Sequence, residues 1–145
     1  MTTSRLFPAL WLLILSFLGG CGGGGASTSN VASSEGSVTK GLEAAEKADW
    51  AAAETELSAA IAGGALQPDM AEKAMLNLAK ARIELGKLDE AAKDIAQLEQ
   101  GAAEMDQVWL VKCALAIKQG DSAGAKTAFA EAKKLNSDVK APPGL

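Results

Sequence analysis

Histidine and tyrosine are absent from this chain of 145 residues, aromatics make up 4% of it, and there are two cysteines. Without His the commonest general base, metal ligand and proton switch near neutral pH is missing, which removes most familiar enzyme designs. Basic residues are outnumbered, 14 Lys and Arg against 18 Asp and Glu for a net charge of -4, so the basic face that nucleic acid demands is also missing. Long apolar runs are lacking too. Residues 6–18 (LFPALWLLILSFL) are thirteen without a charge; as a helix they would span about 20 Å, short of the ~30 Å hydrocarbon core of a bilayer. What is abundant is alanine, roughly a fifth of the chain, which with so few aromatics points to closely packed helices rather than a sheet.

One positive charge at Arg5, the thirteen-residue apolar run and the small residues after it form the pattern of an export signal. Leu18-Gly19-Gly20-Cys21 then resembles the lipobox of bacterial lipoproteins. The resemblance implies cleavage after Gly20, acylation of Cys21, and stable anchoring by two or three acyl chains where one would not suffice. Gly22 in place of Asp favours the outer membrane, facing the periplasm, over the inner one. With Cys21 acylated, Cys113 has no disulfide partner. Residues 22–37 (GGGGASTSNVASSEGS) show no apolar period and predict a flexible tether of about 20–24 Å root-mean-square span.

Beyond the tether the chain is self-similar. Gly86 and Gly120 align at a separation of 34, which also places Ala125 over Ala91, Phe129 over Ile95 and Ala132 over Leu98. An earlier copy supplies Ala48, Ala53, Leu57 and Ala60, with four extra residues before the next. Within the second copy Ala74, Leu78, Ala81 and Leu85 recur at helical spacing, and Leu88, Ala91, Ile95 and Leu98 make the stripe of the following helix. Six helices are expected, at 37–47, 50–62, 69–85, 88–100, 103–119 and 122–135. Pro68 opens the third, Gly63 and Gly64 stop the second, and Pro142-Pro143 forbids continuation of the sixth.

This period and pattern resemble the tetratricopeptide repeat. Its A-x₃-F element is met by Ala53/Leu57, Ala91/Ile95 and Ala125/Phe129, its small first-helix position by Gly41, Ala79 and Cys113, and its aromatic opening by Trp109; the Tyr position and the closing Pro are not kept. The resemblance implies an all-α fold, three antiparallel helix pairs in a short α-solenoid. The expected division is 1–20 signal peptide, 21–36 lipidated Cys and tether, 37–136 repeats and 137–145 tail. No polar capping helix fits in the tail, so the last pair is expected to be bare or covered by a partner.

Chemistry is hard to find. Gly120 to Thr127 lacks the Gly-Lys pair and upstream strand of a phosphate loop. Cys113 sits among apolar residues and reads as a structural thiol. The carboxylates, such as Glu54 with Glu56 and Asp89, Glu90 and Asp94, read as solvated helix faces, with no catalytic set, cofactor or metal site. In the tetratricopeptide family the first helix of each pair lines a peptide groove. The resemblance places Leu42, Leu76, Lys80, Ile83, Leu110, Ala114 and Ile117 there, while of the family's carboxylate clamp Asn77 alone is matched. The expected function is a lipid-anchored scaffold or assembly factor that binds another protein or peptide of the cell envelope, with no catalysis. A self-associating structural lipoprotein, joined through the last repeat, is the alternative.

Overall fold

A computed structural model describes residues 28–145. The signal-like segment, Cys21 and the first glycines of the tether lie outside the described residues. Those described form six helices and no strand: α1 (Thr28–Glu46), α2 (Trp50–Ala62), α3 (Pro68–Glu84), α4 (Leu88–Leu98), α5 (Met105–Gln119) and α6 (Ser122–Leu135). None is long and apolar enough to cross a membrane. Helices two to six fall within a few residues of the expected spans.

Helix α1 corrects the expectation of a tether reaching residue 36, because it begins at Thr28. Composition hid the reason. Ser34 is buried at 7% exposure and Val38 at 2%, and with Gly41 they recur at intervals of four and three to make a continuous face. Smallness is what that face requires. A Cβ at Gly41 would lie 2.6 Å from Leu57 Cγ, and one at Gly63 would lie 2.6 Å from Ser34 Oγ. A serine- and glycine-rich stretch that resembles a linker is therefore the contact surface of a closely docked helix.

The turns inside the three hairpins share one conformation. Ala48, Gly86 and Gly120 all have positive φ, at 57°, 77° and 77°. In each turn the next residue's N–H reaches back to a carbonyl five residues earlier: Asp49 to Ala44 at 2.9 Å, Lys87 to Arg82 at 2.8 Å, Asp121 to Ala116 at 2.9 Å. The following helix opens with an aspartate cap in two cases, Asp49 accepting from the Ala52 N–H and Asp121 from the Gly124 N–H. Lys87 cannot accept and leaves α4 without a side-chain cap.

Consecutive helices pack together, and α1 with α3 and α3 with α5 also meet, whereas the backbones of α2, α4 and α6 stay apart from one another. Helix α3 therefore buries two faces. Ala74, Leu78 and Ala81 join Val38 of α1 and Ala53, Leu57 and Ala60 of α2 in one cluster. Leu76, Ala79 and Ile83 join Ala91, Ile95 and Leu98 of α4 and Val108, Val111 and Leu115 of α5 in the next. A third cluster, of Cys113, Ala116, Ala125 and Ala128, draws on α5 and α6 alone. Each fully buried Leu or Ile is worth about 1.5–3 kcal/mol, and the alanines let the axes approach closely enough for those side chains to meet. The nearly uninterrupted apolar run of α5 is thus explained by burial on two sides.

The final ten residues do not leave the last hairpin bare. Asn136 Nδ2 donates to Asp106 Oδ2 at the start of α5 (2.9 Å), Val139 is 8% exposed, and a Cβ at Gly144 would lie 3.1 Å from Ile117 Cγ2 near the end of α5. The tail thus runs the length of the hairpin as a strap. Two turns, closed by the Val139 N–H on the Asn136 carbonyl and the Leu145 N–H on the Pro142 carbonyl, carry the chain along without a helical pattern, and so Pro142 and Pro143, which bar a seventh helix, do not bar a cover.

Candidate functional site: a groove along helix α3

A concavity of about 700 Å³ follows one face of α3. Asp69, Glu72 with Lys73, Leu76 with Asn77, and Lys80 lie on it one turn apart, and Gly101, Ala103, Glu104 and Gln107 form the opposite wall. Its two walls are joined by one side chain. Glu72 Oε2 accepts from the Ala103 N–H (2.9 Å) and Oε1 from the Glu104 N–H (2.8 Å). Glu104 is the N-cap of α5 and its own side chain makes no capping bond, so Glu72 supplies from α3 the carboxylate that the start of α5 needs.

Along the groove floor, Asn77 Nδ2 donates to the Lys73 carbonyl at 2.8 Å, which leaves its side-chain oxygen free to accept. Lys80 is half-buried and has no ion-pair partner among the described residues. Burial pulls its ammonium below the usual lysine range, with the charge of Glu104 opposing. Apolar floor at Leu76, an amide, an unpaired cation and walls of both polarities suit main-chain and side-chain contacts with an extended peptide.

The structure brings Leu76 and Lys80 together in this groove. Leu110 is half-buried on α5, one turn beyond Gln107. Ala114 packs against the cluster shared by α3, α4 and α5. Leu42 packs against the cluster of α1, α2 and α3, and Ile117 against that of α5 and α6. Ile83, at 1% exposure, lies inside the core and cannot meet a ligand. Glu72, Glu104 and Gln107 are groove residues that apolar patterning could not select; the i, i+4 step from Glu72 to Leu76 was the available signal.

Two carboxylates read as solvated are not. Arg82 Nη1 donates to both oxygens of Asp94 at 2.7 Å, its Nε lies 3.5 Å from Glu54 Oε1, and Lys87 Nζ bonds Glu54 at 2.7 Å. The side chains of Glu54 and Asp94 are 16% and 14% exposed, so α2, α3 and α4 are tied by a half-buried ion network. Burial raises the Asp94 carboxyl above its ordinary range in spite of the Arg82 guanidinium. Cys113 is wholly buried, and burial pushes its thiol up as well, away from the thiolate a nucleophile requires. Among the described residues no cluster of three or more Cys, Asp or Glu side chains is placed to hold a metal ion.

No family model, curated protein or solved structure matches the chain.

Proposed function

We propose that the chain is a lipid-anchored protein of the bacterial cell envelope, built of three tetratricopeptide-like helix pairs, whose groove along α3 holds a peptide segment of another envelope protein. Cys21 is the acylated residue and the outer membrane, on its periplasmic side, the site of anchoring. The protein acts as a scaffold or assembly factor without catalysis or cofactor. The observation that carries this reading is the spacing of the hairpin turns: Ala48, Gly86 and Gly120 share a left-handed backbone and one back-bonding pattern at the separations where the sequence copies align. Contacts of α1 with α3 and α3 with α5, against separation of α2, α4 and α6, support an array that curves toward the first helix of each pair. The groove lies on that side.

One experiment addresses both halves. A photo-activated crosslinker replaces Lys80 in cells fed labelled fatty acid, with Lys126, exposed on α6, as the control position. A discrete adduct with a second envelope protein is expected from position 80 and not from 126; no adduct, or the same adducts from both, overturns the groove. Label is expected in the wild-type chain and not in Cys21→Ala. Equal labelling of the two overturns the anchor.

A further inference from the structure

Charge is divided unevenly along the array. Residues 28–104 hold seven Lys and Arg against fourteen Asp and Glu, whereas residues 105–145 hold six Lys against four Asp and Glu. The second helix of each pair shows where the difference lies. Helix α2 contains no basic residue and exposes Ala51, Thr55 and Ala59, while α4 exposes Asp89 and Glu90 with Lys93. On α6 the exposed stripe is Ala123, Lys126, Thr127, Ala130, Lys133 and Lys134, which share one side of the helix and include no carboxylate. Lys134 Nζ reaches Glu131, one turn back, at 2.6 Å. Lys126 and Lys133 have no ion-pair partner among the described residues.

The lysine-rich end of this helix lies on the side of the array where the chain departs for Cys21. Helix directions alternate, so the start of α1 and the end of α6 share one side. Three contacts trace that side: Ser34 of α1 against Gly63 beyond α2, Glu72 near the start of α3 on the amides ahead of α5, and Asn136 beyond α6 on Asp106 of α5. Six residues separate Cys21 from Thr28, the first residue of α1, a reach of at most about 25 Å. An acyl group on Cys21 therefore keeps this side of the molecule near the headgroups.

We infer that the exposed face of α6 is a second membrane contact, resting on the acyl anchor proposed above, in which Lys126, Lys133 and Lys134 lie on the phosphates of anionic phospholipids. Between the lysines stand only Ala and Thr, so the face offers a protein partner no large side chain to bury. A headgroup layer asks only for charge and close approach. Three lysines hold a free protein to a bilayer weakly, but an anchor that confines them beside it turns weak attraction into a fixed orientation. Helix α6 belongs to the layer of second helices and the α3 groove to the layer of first helices. A chain seated on α6 thus keeps its groove open to the periplasm.

The acylated full-length mature chain is reconstituted in vesicles of phosphatidylcholine, and in vesicles of phosphatidylcholine and phosphatidylglycerol in equal parts, both containing a lipid with a quencher on its headgroup. A fluorophore is carried on Ala130→Cys, in the middle of the stripe, or on Ala96→Cys of α4 as control, both positions being exposed; Cys113 is buried and takes no dye. Quenching at position 130 is expected to be about fivefold stronger in the anionic vesicles than in the neutral ones, and to be small at position 96 in both. Adding Lys126→Gln, Lys133→Gln and Lys134→Gln together is expected to abolish the difference. Equal quenching in the two vesicles, equal quenching at the two positions, or no effect of the triple change overturns the second contact and leaves the anchor standing. Quenching that follows the density of protein on the vesicle and not the lipid charge also overturns it, the acidic part of a second copy then being the occupant. A chain that does not stay with neutral vesicles overturns the anchor and the second contact with it.

Discussion

The first and last hairpins solve one packing problem in opposite ways. At the small position of the first helix the chain carries Gly41 in the first hairpin and Cys113 in the last, facing Leu57 and Phe129. In the first, the side chain is removed altogether: Leu57 is wholly buried and there is no room for a Cβ opposite it. In the last, the thiol is kept, and Phe129 rests half out of the core with Lys133 Nζ 5.8 Å from its ring, much as Lys112 Nζ lies 4.7 Å from Trp109. A repeating register therefore sets which residues meet without setting how tightly. The first hairpin is closed by exclusion of volume, the last by half-wet rings and a strap, and only the latter leaves slack.

That contrast can be broken most directly by adding volume at the equivalent positions. Gly41→Val is expected to cost about 1–3 kcal/mol, since Leu57 has nowhere to move, while Cys113→Val costs under about 1.5 kcal/mol because Phe129 can shift outward. Urea midpoints of the two variants measure this, and equal losses would sink the comparison. A smaller effect of opposite sign is expected at the turns. Ala48 holds a left-handed conformation that Gly fills at the two equivalent positions, so Ala48→Gly is expected to stabilise by about 0.5–1 kcal/mol, and Gly120→Ala to destabilise by a similar amount; a midpoint that falls for Ala48→Gly would show that the first turn is held by other means.

The smallest effect concerns pH at the strap. The hydrogen bond from Asn136, helped by Gln107, holds the Asp106 carboxyl below its ordinary range. A group whose pKa is depressed on folding contributes stability that is present above its unfolded pKa and lost as pH falls through the folded one. The strap is therefore expected to loosen on acidification below the usual aspartate range before the helices do, read as hydrogen exchange at the Val139 amide, which is bonded to the Asn136 carbonyl. In Asp106→Asn that dependence should flatten. A strap equally protected at acid and neutral pH would remove Asp106 from its anchoring.

Periodicity made helices α2 to α6 readable because each carries a stripe of Ala, Leu and Ile that nothing but a helix would align. The first nine residues of α1 escaped because Ser34 and Gly41 contribute by being small, and smallness is also the signature of a linker. The strap escaped for a different reason: a non-helical segment of two turns with one buried valine has no period to detect. Leu76 and Lys80 stand one turn apart on the concave face of α3, but the sequence did not separate Ile83 from them, since α3 is apolar on two faces and sequence alone does not say which face a neighbour covers. Glu54 and Asp94 read as solvent-facing because their partner, Arg82, is distant in sequence and near only once α2, α3 and α4 have docked.

The bond from Glu72 to the two amides ahead of α5 has a bearing on how the molecule comes apart. A helix whose first turn is finished by a neighbour's side chain cannot nucleate at full strength alone, and the neighbour's carboxylate has no other occupation when that helix melts. The second and third hairpins should then exchange their amide hydrogens as one cooperative unit, not as independent beads on a string. Short helices would gain from this: hairpins sharing one transition hold together at temperatures where each by itself would fray.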